Sequence, residues 1–90
     1  MNWRIIVARE AEKTLRRLGK TERLRLCDAI NRLIEEPRPG TGRDIAGIQG
    51  VSGLYRLRIG RTWRVLFTLN EEEHTVYVIA VRPRGQAYRP

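Results

Sequence analysis

Residues 54–67 read Leu54-Tyr55-Arg56-Leu57-Arg58-Ile59-Gly60-Arg61-Thr62-Trp63-Arg64-Val65-Leu66-Phe67, and the way this stretch folds back on itself decides the architecture. Tyr55, Leu57 and Ile59 alternate with Arg56 and Arg58, and Trp63, Val65, Phe67 and Leu69 alternate with Arg64, Leu66 and Thr68. Period-two alternation marks half-buried strands, so a β-hairpin is expected here. A two-residue loop, Gly60-Arg61, would set Arg58 against Trp63 and mix cations with large apolar groups on both faces. A three-residue loop, Gly60 to Thr62, sets Ile59 against Trp63 and Arg58 against Arg64. One face then carries Tyr55, Leu57, Ile59, Trp63, Val65 and Phe67, and the other carries Arg56, Arg58 and Arg64 with Leu54 and Leu66. Glycine at the first loop position suits the two-residue turn. A slip of one residue, however, flips a whole strand, so the register that buries the apolar set is the one expected.

This register sets Arg58 beside Arg64, and like charges directly opposite each other destabilise a sheet unless an anion or solvent relieves them. The arrangement therefore points to use, with both side chains expected at exposed positions. Arg82, Arg84 and Arg89 add positive charge near the same sheet. Tyr88 lies among them, the C-terminal side chain able to exchange a proton or stack on a base.

Downstream of the hairpin, Asn70 to His74 form an acidic turn, and Val76 to Val81 are nearly all apolar, as in a strand that is central or covered on both faces. Upstream, Trp3 to Val7 read as a strand. Ala8, Ala11, Leu15 and Leu18 then recur at three- and four-residue steps, the period of an amphipathic helix. Gly19 is expected to end this helix in the left-handed C′ position. Thr21 is the expected N-cap of a second helix, whose stripe of Leu26, Ile30 and Leu33 runs to about Glu36, where Pro37 forbids continuation. Residues 37–50 are rich in Gly and Pro and read as a long surface loop anchored by Ile45 and Ile48. The expected fold is α+β, with an N-terminal strand and two antiparallel helices packed on one face of a mostly antiparallel four-stranded sheet.

Ninety residues make a single domain, 1–90, since two halves would each be too small to bury a core. Cys27 is the only cysteine, has no metal-ligand spacing around it, and reads as a small buried hydrophobe; no metal or cofactor is expected. Residues 1–7 are too short and polar for a signal peptide, and no apolar run is long enough to span a membrane, so a cytoplasmic location is expected. The charge balance is 18 Lys+Arg against 10 Asp+Glu, a formal +8. Sixteen of the 18 cations are arginines, whose planar donor fork matches phosphate and stacks on bases. Nucleic acid or an acidic protein is the implied partner.

Taken in order, AEKTLRRL (residues 11–18), the loop containing Pro37, GLYRLRIG (residues 53–60), WRVLF (residues 63–67) and VRPRGQAYR (residues 81–89) resemble toxins of the RelE/ParE superfamily of type II toxin-antitoxin systems, RelE-like members above all. The resemblance runs from end to end. It implies a microbial-ribonuclease-like fold and a ribosome-dependent mRNA endoribonuclease that acts in the ribosomal A site and is silenced by a cognate antitoxin. It also implies metal-independent chemistry, in which the ribose 2′-hydroxyl attacks the adjacent phosphorus. By resemblance, Arg58, Arg64, Arg84 and Tyr88 are the catalytic residues and Arg56 grips the RNA backbone; Arg61, Arg82 and Arg89, as basic residues, are expected to bind RNA with it.

The chain departs from better-endowed relatives at several points. Arg56 and Arg58 stand where some carry lysines, and arginine does not deprotonate in a protein, so neither can be a general base. Pro83 stands where many carry a histidine, while the single histidine, His74, reads as a surface turn residue. Tyr88 is left as the candidate base. Two other readings follow from these departures: a ParE-like inhibitor of DNA gyrase, which the retained Arg64, Arg84 and Tyr88 argue against, and a non-catalytic basic module binding RNA or antitoxin.

Overall fold

The computed structural model describes residues 2–40 and 44–86. The elements run β1 (Arg4–Val7), α1 (Arg9–Arg17), α2 (Lys20–Asn31), a 3₁₀ turn (Arg32–Ile34), β2 (Ile45–Gly47), β3 (Leu54–Ile59), β4 (Trp63–Asn70), β5 (Thr75–Pro83) and a second 3₁₀ turn (Arg84–Gln86). They build one sheet in the order β1-β5-β4-β3-β2, with β1 and β5 parallel and every other pair antiparallel.

The hairpin has the three-residue loop. Ile59 pairs with Trp63, Arg58 with Arg64, and Leu57 with Val65. Leu57, Ile59, Val65 and Phe67 are buried against Ala11 and Leu15 of α1 and Leu26 and Ile30 of α2. Apolar burial of this extent, at about 1.5–3 kcal/mol per fully buried side chain, outweighs the turn preference of a single glycine.

The sheet has five strands where the sequence led us to expect four. The additional strand is β2, which pairs with Tyr55 to Leu57 from within the stretch read as a loop. Ile45 is buried, as expected of an anchor, and its backbone completes the free edge of β3. Three residues are too few for alternation to show in a Gly-rich segment, so the strand leaves no periodic signal.

The helix boundary also differs. Gly19 has φ −62° and ψ 159°, an extended conformation, and it precedes α2 as the N-cap. Its carbonyl accepts from Arg23 N at 2.9 Å, so α2 starts at Lys20 and Thr21 lies inside it. Two extended residues, Leu18 and Gly19, reverse the chain without a left-handed cap. Acidic Glu10 and Glu12 in the first turn of α1 and basic Arg16 and Arg17 in the last complement its dipole.

A register shift in β4–β5 sets the composition of the open face. Leu66 pairs with Ala80 and Phe67 with Val78, which leaves Ile79 as an extra residue. Strict alternation from Val78 would turn Arg82 towards the helices. The bulge changes the parity, so Val81 enters the core opposite Val65 and Arg82 stands opposite Arg64.

At the other end of the sheet, Arg38 donates to Glu71 (2.8 Å) and Glu36 (3.1 Å), and its guanidinium carbon lies 4.9 Å from the centre of the buried Trp3 ring. The hydrogen bond to Glu71 is the main cause that raises the Arg38 pKa and lowers that of Glu71. No described helix is long and apolar enough to cross a membrane.

Candidate functional site

The basic side chains converge where the β3–β4 hairpin turns. The sheet registers place Arg58, Arg64 and Arg82 in one row across β3, β4 and β5. The chain then leaves β5 and bends back, and Arg84 N donates to Thr62 O at 2.7 Å. This contact ties the second 3₁₀ turn to the hairpin and brings Arg84 beside it. The resulting depression, of about 350 Å³, is lined by Arg58, Gly60, Arg61, Arg64 and Arg84, with no carboxylate among the described residues. A recess lined by one sign of charge concentrates the field of its walls and attracts anions.

The four cations are held differently. Arg64 is only 8% exposed, contrary to the exposed position expected for it. Its Nη1 donates to Trp63 O (2.8 Å) and Gly60 O (3.5 Å), so the carbonyl of the first β4 residue and one of the turn hold the guanidinium. Arg58 forms an ion pair with Asp44, Nη2 to Oδ1 at 2.6 Å, while its backbone N donates to Asp44 O at 2.8 Å. Arg61 and Arg84 are exposed and have no acidic partner among the described residues.

The other expected positions are distributed as follows. Arg56 lies one pair further along β3 on the same face, with Nη1 3.4 Å from Asp44 O, and does not line the recess. Arg82 reaches across to α1, where Nη2 meets Glu10 Oε2 at 3.1 Å. It lines a separate depression with Trp63, Val81, Pro83 and Gln86. Tyr88 and Arg89 lie outside the described residues. The other tyrosines are elsewhere: Tyr55 stacks on Phe67 at 5.7 Å, and the Tyr77 hydroxyl donates to Glu73 at 3.1 Å, a hydrogen bond that raises its pKa. His74, in left-handed backbone at φ 54°, packs on Trp3 with ring centres 4.1 Å apart. It sits at the opposite end of β4, roughly 24 Å of strand away from the recess.

Two residues of this region escaped the sequence reading. One is Asp44, whose acidic side chain gave no signal inside a Gly- and Pro-rich stretch. The other is Arg25 of α2, which lines a neighbouring depression of about 450 Å³ together with Asp28, Arg32, Asp44, Arg58 and Gly60. Gly60 has φ 60°, and a Cβ there would run into Arg25 Nη2. Glycine thus permits both the turn and the approach of Arg25.

Residues 5–88 match the family described as the ParE toxin of the type II toxin-antitoxin system parDE. The chain is a RelE/ParE-family type II toxin. No curated protein sequence matches the toxin significantly. Among solved structures it is similar to a chain of the archaeal RelE–RelB complex from Pyrococcus horikoshii OT3, with 28% identity, coverage of 97% of this chain and 100% of that one, and a TM-score of 0.78. The isolated Escherichia coli RelE toxin matches at 23% identity over 90% and 83% of the two chains, with a TM-score of 0.75. A chain of the RelBE2 toxin–antitoxin complex from Mycobacterium tuberculosis matches at 22% identity over 93% and 100%, with a TM-score of 0.76. The toxin therefore has the RelE fold, and two of these three structures contain an antitoxin.

Proposed function

We propose that the toxin is a ribosome-dependent mRNA endoribonuclease. The observation that carries this reading is the recess lined by Arg58, Arg61, Arg64 and Arg84, which suits a phosphodiester and the extra charge it gains when attacked. The 2′-hydroxyl attacks the adjacent phosphorus and loses its proton. The P–O5′ bond breaks, the departing 5′ oxygen takes up a proton from water, and the products are a 2′,3′-cyclic phosphate and a 5′-hydroxyl. Arg64, held by the Gly60 and Trp63 carbonyls, and Arg58 stabilise the equatorial oxygens. Arg84 stabilises the leaving oxygen, and Arg61 grips the neighbouring backbone.

None of these groups can accept a proton, since guanidinium stays charged. Tyr88, once ionised to its phenolate, is the candidate acceptor of the 2′ proton, and as the phenol it can stack on a base. Chemistry built on four arginines relies on positioning and electrostatics, so cleavage is expected to need the mRNA as the ribosome presents it and to be slow on free RNA. The proposed setting is the cytoplasm, and no metal takes part. The proposed silencing partner is a cognate antitoxin with an acidic amphipathic segment, in keeping with the antitoxin-bound relatives.

A second reading, inhibition of DNA gyrase, is favoured by the ParE description of the matching family. Two assays separate the readings. A cell-free translation reaction should stop when the toxin is added, while gyrase supercoiling of plasmid DNA should be unaffected. Inhibited supercoiling with translation intact would establish the gyrase reading instead.

A further inference from the structure

We propose that Asp44 is a resident counter-ion that an RNA phosphate displaces from Arg58, so that Arg58 is an exchangeable wall of the recess and Arg64 a fixed one. The inference rests on the phosphate-binding reading of the recess given above.

The register forces Arg58 opposite Arg64, and in the unliganded toxin an anion should relieve that repulsion. The structure supplies one in the Asp44 carboxylate, 2.6 Å from Arg58 Nη2. Arg58 also lines both the arginine recess and the depression towards α2, whereas Asp44 lines only the latter. Arg58 thus borders both, with the Asp44 carboxylate on one side and Arg61, Arg64 and Arg84 on the other. A phosphate in the recess meets all four cations, while Asp44 engages Arg58.

The pair is suited to exchange. The side chains of Arg58 and Asp44 are 48% and 54% exposed, and ion pairs this open hold weakly. Arg64, buried and bonded to Trp63 O and Gly60 O, has no comparable freedom. The Asp44 carbonyl stays bonded to Arg58 N, so the carboxylate remains within reach and recaptures Arg58 when the phosphate departs. Asp44 would then act as a positioning residue that lowers affinity for stray polyanions.

The test is a double-mutant cycle read as the Kd of a short single-stranded RNA, fully 2′-O-methylated so that it cannot be cut. Asp44→Asn should tighten binding by up to about fivefold, and Asp44→Glu should resemble wild type. In an Arg58→Ala background Asp44→Asn should change nothing, because the competition it removes is already gone. An equal gain in both backgrounds would mean a general charge effect and would overturn the proposal. So would an unchanged or weaker Kd in Asp44→Asn, or no binding to either protein. Ribosomal cleavage assayed on the same proteins tests the nuclease reading separately: its absence alongside the predicted Kd pattern would remove the nuclease and leave the exchange standing.

Discussion

Ile59 stands directly opposite Trp63 where the β3–β4 hairpin closes, and the residue between Ile59 and the rest of the loop is Gly60, at φ 60°. A side chain there meets two obstacles, the left-handed backbone and the Arg25 guanidinium. The second is the far end of a flexible chain and can move aside. Gly60→Ala should therefore cost about 1–2 kcal/mol from the backbone alone. Chemical denaturation should give nearly the same loss in an Arg25→Ala background; a much smaller loss there would assign the effect to the contact instead.

Arg64 and Arg84 should separate stability from activity. Arg64→Ala removes a buried donor to the Gly60 and Trp63 carbonyls and is expected to cost about 1–3 kcal/mol, whereas Arg84→Ala, at an exposed position, should stay within about 0.5 kcal/mol. Both should abolish growth inhibition. Thermal melts beside a growth assay check this, and full toxicity of folded Arg84→Ala would remove it from the site.

Among the described residues, the buried indole Nε1 of Trp63 has no hydrogen-bond partner. Trp63→Phe loses some apolar contact but also relieves an unsatisfied donor, an offsetting term of about 1–3 kcal/mol, so its stability should remain close to that of wild type. Trp63→Ala should lose about 3 kcal/mol. Equal losses in the two variants would show that the indole ring itself matters.

Acid should weaken the Arg38 clasp at the far end of the sheet. The hydrogen bond from Arg38, and then its charge, hold the Glu71 carboxyl below its ordinary value of 4.5. A depressed folded pKa means stabilisation that is present above the unfolded value and lost as pH falls through the folded one. Wild type should exceed Glu71→Gln in stability at about pH 7, and the gap should shrink as pH falls below 4.5. A constant gap across that range would contradict the ionic origin.

The strands and the arginine row were legible because burial acts on every second residue of a long segment. Six apolar side chains of the hairpin agreed on one register, and the pairs Ile59–Trp63 and Arg58–Arg64 followed. The start of α2 was misjudged because Thr21 has good capping chemistry, yet Gly19 was already extended and its carbonyl takes the first helical bond. β2 was hidden by its length. Asp44 could not be found from sequence, since its importance arises only when β2 brings it alongside Arg58. The burial of Arg64 has no sequence signal for a related reason: alternation tells which face a residue occupies but not how far its neighbours cover it.

We propose that the arginine recess cuts mRNA on the ribosome. Primer extension on a defined mRNA tests it most directly, with wild-type toxin or Arg84→Ala added to programmed ribosomes or to the same RNA free in solution. New 5′ ends are expected within the A-site codon only where wild-type toxin and ribosomes are both present. Folded wild-type toxin that leaves the mRNA intact on ribosomes, or Arg84→Ala that cuts as well as wild type, would contradict the proposal.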